Sequence, residues 1–455
     1  MSSLAERSTC PHIQTPLPGP RARKVIDSEA PCISPSYTRF YPLVVARGEG
    51  CRLEDVDGNL FLDFTAGIAV CATGHCHPRV VAAVQQQSEQ LLHMCGADFY
   101  YESLAQLAIK LAEIAPGRTP KRVFFTNSGA ESVEAAIKLA RYHTGRQQVI
   151  GFYGGFHGRT MGALSITSSK VAQREKFGPL VPGVTHVPFP NPYRTDCQPW
   201  TPSSGEECAA FIEQTLFKRT VAAEEVAAIL VEPIQGEGGY LVPPDDFHPQ
   251  LKQLAERHGI LYIVDEVQAG FGRTGKMFGI EHFGIEPDII CLAKGIASGM
   301  PLGAIVARRN VMDWEPGSHA STYGGNPVAC AASLETIALL EEGLVENAAR
   351  QGNYLLAQLD QLAHSSQLVG DVRGKGLMIG IELVRDRQSK QPTPRERDAV
   401  LEICFRHGLV LMGCGESSIR FCPPLVVTRE ECDVALKIAA AALAEVEQSR
   451  RAKAS

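Results

Sequence analysis

The stretch that decides the fold begins at residue 261 as LYIVDEVQAGFGRTG and ends at residue 294 as DIICLAK. Residues 261–264 and 289–293 are short apolar runs of the kind that buried parallel strands show. Asp265 follows the first run and Lys294 follows the second. Because the carboxyl ends of parallel strands meet at one crevice in an open α/β sheet, we expect both charged groups to point into the same cleft.

A lysine and a carboxylate in one cleft form the pair that pyridoxal phosphate requires. The cofactor needs a lysine amine to hold it covalently, and a carboxylate to keep its ring nitrogen protonated so that the ring withdraws electrons. Lys294 and Asp265 therefore predict a pyridoxal phosphate site in which both residues are catalytic. A lysine after an apolar strand is more often a solvated strand end, so Lys294 alone would not carry the prediction.

The same stretch contains a competing phosphate motif. Residues 270–276 read GFGRTGK, which fits the beginning of a P-loop, GxxxxGK followed by Ser or Thr. The next residue is Met277, which offers no hydroxyl for a magnesium ion. The glycines also follow DEVQ and do not open a clear amphipathic helix, so the P-loop is the weaker interpretation.

Composition is typical of a globular protein with a large core. The 455 residues are 44% hydrophobic and 21% charged, and the net charge is −6. This acidic balance gives no electrostatic basis for binding nucleic acid or an anionic membrane, and no apolar run reaches the length of a membrane span. We expect small-molecule substrates, no nucleic acid and no membrane.

Cysteine usage and the first residues bear on location. The 14 cysteines are scattered without a CxxC pair, which favours a reducing cytoplasm, where cysteines pack as small apolar residues. Cys71, His75, Cys76 and His77 cluster, but GHCHP lacks a second ligand pair, so we predict a turn and no metal. Residues 1–24 lack an apolar segment, which argues against a secretory signal, and their prolines favour an extended arm.

Further strand and turn patterns surround the central stretch. Residues 50–64 alternate and break at Asp57-Gly58, which predicts a two-strand hairpin. A short strand precedes NSGAES, a small-residue turn that would present backbone N–H groups of a helix start to a phosphate. Another predicted strand ends in GGFHGRT, which brings an aromatic ring, a histidine and an arginine to the cleft. Residues 303–307 resemble an antiparallel or edge strand.

These motifs together resemble the class III, or omega, aminotransferases, a fold type I pyridoxal phosphate family that includes 4-aminobutyrate, ornithine and acetylornithine aminotransferases. The resemblance covers nearly the whole chain. The motifs that carry it are, in order, SPSYTRFYPLVVARGEG (34–50), DVDGNLFLDFTAGIAV (55–70), NSGAES (127–132), GGFHGRT (154–160), EPIQGEGG (232–239), VDEVQAGFGRTG (264–275), LAKGIASGMPLGA (292–304), STYGGNP (321–327) and IRFCPPL (419–425).

The resemblance implies an α/β fold with a large domain, built on a mostly parallel seven-stranded sheet, and a smaller α+β domain formed by both chain ends. We expect residues 1–75 to form the N-terminal arm and part of the small domain, residues 76–330 the large cofactor-binding domain, and residues 331–455 the C-terminal small domain. The change of domain falls on a long helix that begins at Pro327.

The resemblance also assigns cofactor contacts. Lys294 would hold the cofactor and move the proton between substrate and cofactor, Asp265 would pair with the ring nitrogen, and Gln268 would reach the phenolic oxygen. The other implied contacts are Ser128, Gly129 and Ala130 at the phosphate, Phe156 stacked on the ring with His157 beside it, and Thr322 at the phosphate of a neighbouring subunit. Some members have a serine where Ala130 stands, so a backbone N–H would serve there without a hydroxyl.

The resemblance also implies which residues bind the substrate. Arg159 matches the arginine that holds the distal carboxylate of 4-aminobutyrate or glutamate, and Arg420 matches the one that holds an α-carboxylate. Glu237 matches the acid that covers Arg420 when the substrate has no α-carboxylate. Ile68 stands where 4-aminobutyrate-type members carry isoleucine and ornithine-type members carry tyrosine. This pattern favours transfer of an amino group from an omega-amino acid such as 4-aminobutyrate to 2-oxoglutarate, giving the semialdehyde and glutamate.

Alternatives remain within the resemblance. Acetylornithine or ornithine aminotransferases and broad-specificity amino acid racemases share most of these motifs. A catalytically inactive relative is disfavoured because Lys294 and Asp265 are both present. The position of Thr322 implies a homodimer with shared active sites, and a dimer of dimers is the larger assembly to consider.

Overall fold

The computed structural model of the protein describes residues 10–198 and 200–454. Its strands are β1 (Val45–Glu49), β2 (Arg52–Asp55), β3 (Leu60–Asp63), β4 (Lys121–Thr126), β5 (Gln148–Phe152), β6 (Val184–Val187), β7 (Val226–Val231), β8 (Leu261–Asp265), β9 (Ile289–Leu292), β10 (Gly303–Arg308), β11 (Val369–Lys375), β12 (Met378–Leu383), β13 (Leu409–Val410), β14 (Met412–Cys414) and β15 (Ser418–Phe421). They form one seven-stranded sheet, in the order β4-β10-β9-β8-β7-β5-β6, and two four-stranded sheets, β1-β2-β3-β13 and β11-β12-β15-β14.

Helices connect these strands and cover them. They are α1 (Pro20–Glu29), α2 (Ala66–Ala69), α3 (Pro78–Gln90), α4 (Glu102–Ile114), α5 (Gly129–Thr144), α6 (Met161–Ile166), α7 (Gly205–Phe211), α8 (Phe217–Arg219), α9 (Phe247–His258), α10 (Pro327–Leu339), α11 (Val345–Ser365), α12 (Pro394–Arg406) and α13 (Arg429–Ala454). A π-helical turn over Leu340–Leu344 joins α10 to α11.

The seven-stranded sheet is buried on both faces. On β7, Ala228 and Leu230 pack in one apolar cluster with residues of α5, whereas Ile229 and Val231 pack in the larger cluster on the opposite face. Strands β7, β8 and β9 are buried along their whole length and pair in parallel. Double coverage explains why these strands read as continuous apolar runs, and the predicted α/β fold with a mostly parallel sheet is confirmed.

Strand β10 is antiparallel to both of its neighbours, as predicted, but it is not an edge strand. It lies between β4 and β9, with Gly303 opposite Thr126. A Cβ atom on Gly303 would come within 2.4 Å of Thr126 Oγ1 and 2.7 Å of Ser132 Oγ. Only glycine therefore lets β10 approach the turn between β4 and α5 so closely.

The smaller sheets come from the two ends of the chain. The predicted hairpin is present, since β2 and β3 pair antiparallel around the turn that contains Gly58. Strand β3 also pairs in parallel with β13 from the C-terminal part, so the first and last segments share one sheet. The division into domains at residues 75 and 330 stays a prediction.

No helix within residues 10–198 and 200–454 combines the length and apolar character that crossing a membrane would require.

Candidate active site

A cavity of about 350 Å³ lies at the carboxyl ends of the parallel strands. Its walls come from the turn before α5, the loop after β5, and the residues that follow β7, β8 and β9. Every predicted cofactor-binding residue except Thr322 lines it: Ser128, Gly129, Ala130, Phe156, His157, Asp265, Gln268 and Lys294. Strand ends far apart in the sequence therefore converge where the strand pattern places them.

Asp265 is buried and both of its carboxylate oxygens have partners. Oδ1 accepts a hydrogen bond from the Val267 backbone N–H at 3.0 Å, and Oδ2 lies 2.7 Å from the His157 ring Nδ1. Burial alone would lower the pKa of His157, but the hydrogen bond and charge of Asp265 outweigh it and raise that pKa. The contact with Asp265 therefore favours the charged form of His157.

Lys294 follows β9 and opens a short helical turn with a backbone φ of 48°, in the left-handed region that non-glycine residues rarely adopt. Burial lowers the pKa of its amine, although the negative charges of Asp265 and Glu232 oppose the shift. A lowered pKa increases the neutral fraction of the amine, which is the nucleophilic form. Lys294 is thus held in a strained conformation, with its amine shifted towards the neutral form.

The turn before α5 is built to receive an anion. Ser128 caps the helix, and its side chain accepts from the Glu131 N–H. Among the described residues, the N–H groups of Gly129 and Ala130 have no acceptor. A Cβ on Gly129 would come within 2.7 Å of Val267, so glycine brings the helix start against the β8 loop. Free N–H groups at a helix N-terminus favour a phosphate.

Glu232 is a second buried carboxyl in the cavity, and sequence reasoning assigned it no role. Its oxygens accept hydrogen bonds from the N–H groups of Phe156, at 2.9 Å, and Gly236, at 2.8 Å. Burial raises its pKa to about 7, against the opposing charge of His157. The signal that could have found it is its position at the carboxyl end of a buried strand: Glu232 directly follows β7, and Asp265 is the last residue of β8.

A chain of polar contacts extends from the cavity towards the C-terminal sheet. The Tyr240 hydroxyl donates to Gln268 Oε1 at 2.9 Å. Beside it, Arg420 Nη1 donates to Glu237 Oε1 at 2.7 Å, and Lys170 Nζ lies 3.3 Å from Glu237 Oε2. Burial disfavours the charge on Glu237, but Arg420 and Lys170 hold the pKa of its carboxyl below the ordinary value. Glu237 is therefore an ionised bridge between two cations.

Three predicted site residues lie outside these contacts. Ile68 is 45% exposed and sits in α2, where the φ angles of Ala66, Gly67, Ile68 and Ala69 are 49°, 61°, 67° and 60°. Arg159 is exposed and has no hydrogen bond or ion pair among the described residues. Thr322 is exposed in a separate groove of about 1120 Å³ that also contains Tyr100.

Sequence comparison places this site in a family. The family model described as aminotransferase class-III matches residues 33–443. The chain belongs to the class III aminotransferases.

Curated relatives within this family carry different activities. The chain is 45% identical to an acetylornithine aminotransferase of Methanopyrus kandleri, over 90% of this chain and 96% of the relative. It is 40% identical to an alanine/serine racemase of Pyrococcus horikoshii, over 94% and 91%. It is 38% identical to a 4-aminobutyrate aminotransferase of Mycobacterium tuberculosis, over 95% and 98%. Class III membership is therefore certain, whereas the relatives do not agree on one substrate.

A solved structure supports the fold and the cofactor. The PLP-bound crystal structure of an amine transaminase from an uncultivated Pseudomonas species superposes with a TM-score of 0.83 at 34% identity, covering 91% of this chain and 98% of the other. The predictions of fold type I and of pyridoxal phosphate as cofactor are thereby confirmed. The cavity fits this cofactor, since it combines Lys294, a buried carboxyl group at Asp265 and, among the described residues, two N–H groups without an acceptor in the first turn of α5.

The raised pKa of Glu232 makes a prediction about stability. An acid whose folded-state pKa lies near 7, against 4.5 when unperturbed, keeps its proton in the native protein while the unfolded chain loses it. The free energy of unfolding should then fall as pH rises from about 4.5 to about 7, by at most ~1.4 kcal/mol per pH unit from this group. Glu232→Gln should reduce that slope.

Urea midpoints of the apoprotein, measured across this pH range, test the assignment. Glu224→Gln, which changes an exposed carboxyl before β7, is the matched control and should follow the unmodified protein. Parallel curves for Glu232→Gln and the unmodified protein would contradict the raised pKa.

Proposed function

We propose that this class III aminotransferase transfers the amino group of an omega-amino acid of the 4-aminobutyrate type to 2-oxoglutarate, giving the semialdehyde and glutamate. The observation that carries the proposal is the 2.7 Å pair between Glu237 and Arg420 beside the cofactor cavity. A guanidinium that can bind an α-carboxylate is covered by an acid, which suits a donor that has no α-carboxylate.

Lys294 and Asp265 are the proposed catalytic residues. Bound PLP supplies a ring that withdraws electrons from the substrate carbon. Lys294 Nζ holds the cofactor and carries the proton between substrate and cofactor carbons, which its lowered pKa favours. Asp265 lies at the carboxyl end of β8 and is hydrogen-bonded to His157. Its negative charge would keep the proton on the ring nitrogen.

Other residues in the cavity bind and orient the cofactor in this proposal. Ser128, Gly129 and Ala130 offer N–H donors and a hydroxyl to its phosphate. Phe156 would pack on the ring, and Gln268, which Tyr240 orients, would bind the phenolic oxygen. The Ser128 and Gln268 side chains have hydrogen-bond partners of their own, so these two need little reorganisation when the cofactor binds.

Arg159 and Arg420 are the proposed binding residues for the substrate carboxylates. The only carboxylate of 4-aminobutyrate would bind Arg159, which is exposed and has no ion pair among the described residues. Glu237 meanwhile neutralises Arg420, which would otherwise be an unpaired buried charge. In the second half-reaction the α-carboxylate of 2-oxoglutarate takes Arg420, and Glu237 moves away. Ile68 gives the donor side of the pocket an apolar surface, whereas tyrosine in its place would suit an ornithine-type donor.

Racemisation is the second candidate, because an alanine/serine racemase is 40% identical over nearly the whole chain. Racemisation needs the same lysine and an acid on the opposite face of the substrate carbon. An acetylornithine donor is the nearest aminotransferase alternative, given the 45% identical relative.

The proposed assembly is a homodimer with shared active sites. Thr322 lies outside the cavity of its own subunit, on an exposed surface with Phe99, Tyr100 and Tyr323, which are 51%, 105% and 62% exposed. Burying such an apolar surface favours association of two copies, and would let Thr322 reach the phosphate in the partner. A dimer of dimers is the larger alternative. Free thiols at all the cysteines support a cytoplasmic location.

A donor panel tests the function. With 2-oxoglutarate as acceptor, 4-aminobutyrate should give more glutamate than N-acetylornithine or ornithine, because both of those donors carry, besides a carboxylate, an acetamido or amino group on the α-carbon that would meet the apolar surface of Ile68. Glutamate formation is measured for each donor at equal concentration. A control incubation holds one enantiomer of alanine or serine without any keto acid. Loss of optical activity in that control would overturn transamination in favour of racemisation.

Lys294 should be the attachment point of the cofactor. Borohydride reduction of the holoenzyme should fix the cofactor carbon to Lys294 Nζ, and the modified peptide is identified by mass spectrometry. Lys294→Ala should retain phosphate binding but lose turnover by several orders of magnitude, whereas Lys276→Ala, outside the cavity lining, should retain both. Modification of any other lysine would contradict the assignment.

Glu237 should matter for only one half-reaction. Glu237→Ala uncovers Arg420, so the single-turnover rate with 4-aminobutyrate should fall roughly ten- to a hundred-fold, which corresponds to a charge-assisted contact of about 1.5 to 3 kcal/mol. The rate with L-glutamate should hold or rise, since the α-carboxylate no longer displaces an acid. Equal losses with both donors would mean that the pair is only structural.

A further inference from the structure

We call Glu237 the switch acid, because it would uncover Arg420 for a substrate α-carboxylate. Lys170 is a second cation beside it, and no motif assigned a function to this lysine. Its Nζ lies 3.3 Å from Glu237 Oε2, while the other oxygen of the same carboxylate, Oε1, lies 2.7 Å from Arg420 Nη1. Each oxygen of Glu237 therefore has its own cation. The two cations differ in environment, because the Arg420 side chain is 6% exposed and the Lys170 side chain 45% exposed.

The backbone around Glu237 restricts how its carboxylate can move. The Gly415 N–H donates to the Glu237 carbonyl at 2.8 Å, and the Gly239 N–H donates to the Gly236 carbonyl at 3.2 Å. The first bond ties this loop to the turn between β14 and β15, next to the strand that carries Arg420, so the carboxylate would be displaced by rotation of the side chain and not by movement of the loop. Rotation about the side-chain bonds of a glutamate exchanges one partner for another within a few ångströms.

Open space adjoins this loop on the Lys170 side. A cavity of about 280 Å³ is lined by Ser169, Lys170, Gly238, Gly415 and Glu416. The glycines leave the wall next to Glu237 without side chains, and Lys170 is the cation nearest to the switch acid on this wall. Glu416, the other charged residue named here, is exposed to solvent, and we assign it no part in the exchange.

The Lys170 segment is itself held in place. The Ser168 N–H donates to the Gly155 carbonyl at 2.8 Å, and the Ser169 hydroxyl donates to Gln173 at 2.6 Å. The first of these bonds ties the segment to the loop that carries Phe156 and His157. Lys170 thus starts from a fixed backbone, and only its flexible stem needs to follow the acid.

A displaced carboxylate needs a counter-charge. When a substrate α-carboxylate binds Arg420, Glu237 would remain in a largely desolvated place without its stronger partner, which is costly for a charged group. We propose that Lys170 is the third member of the switch: it retains Glu237 when an α-carboxylate takes Arg420, and so sets the balance between omega-amino and α-amino substrates. This inference rests on the proposed exchange at Arg420. Lys170 is a positioning residue that acts through Glu237 without touching the reacting atoms.

The test uses the holoenzyme and single-turnover rates with L-glutamate and with 4-aminobutyrate. Lys170→Met keeps the apolar stem and removes the charge. The glutamate rate should fall roughly three- to thirty-fold, the range between an exposed ion pair and a charge-assisted hydrogen bond, and the 4-aminobutyrate rate should fall by less. Lys170→Arg should restore the ratio of the two rates. Lys218→Met, at an exposed lysine in α8, is the matched control and should leave the ratio as it is.

A double variant shows whether Lys170 acts through Glu237. In the Glu237→Ala background, Lys170→Met should produce no further change in the ratio of rates. The inference is overturned if Lys170→Met lowers both rates equally, lowers neither, or changes the ratio by the same factor without Glu237. If Glu237→Ala changes the ratio but Lys170→Met does not, only the role of Lys170 fails. If Glu237→Ala leaves the ratio unchanged, the exchange at Arg420 fails and Lys170 with it.

Discussion

The buried contact between Asp265 and His157 is the interaction on which the rest of the site depends. A carboxylate deprived of water is stable only when its oxygens are hydrogen-bonded, and both oxygens of Asp265 are. One partner comes from the residues after β8 and the other from the loop after β5, so the contact fixes the relative position of two strand ends that are not adjacent in the sheet. A shift of either strand by one residue would break it.

The surrounding charges are arranged so that neighbouring groups titrate in different ways. Loss of solvent lowers the pKa of Lys294 and raises that of Glu232 to about 7, which moves both groups towards their neutral forms near neutral pH. Glu237 goes the other way, because two cations hold its pKa down. The cleft therefore contains an amine and an acid that are both shifted towards their neutral forms, with a carboxylate held ionised beside it.

Much of this could be predicted from the sequence, because strand burial leaves a local signal. The apolar runs before Asp265 and Lys294 and the break at Asp57-Gly58 specified strands and a hairpin that the structure contains. The position of β10 could not be predicted in the same way. An apolar run shows that a strand is buried, but not which neighbours it has, and the close approach at Gly303 is a long-range contact. Glu232 was missed for a related reason, since its environment depends on how deeply the β7 end is buried.

The left-handed turn at α2, which carries Ile68, is a strained segment that neighbouring side chains hold in place. Thr65 anchors the turn through Asp63, whose other oxygen is bound by His75 at 2.7 Å, so GHCHP contributes a clamp on this segment. Left-handed backbone costs roughly 1–2 kcal/mol for each residue that has a Cβ, and a β-branched side chain such as Ile68 is among the least suited to it. A substitution at position 68 therefore changes both the backbone strain and the side chain that the turn exposes. A glycine there would release backbone strain but remove the exposed apolar side chain, so this chain keeps Ile68 at its surface at the expense of thermodynamic stability.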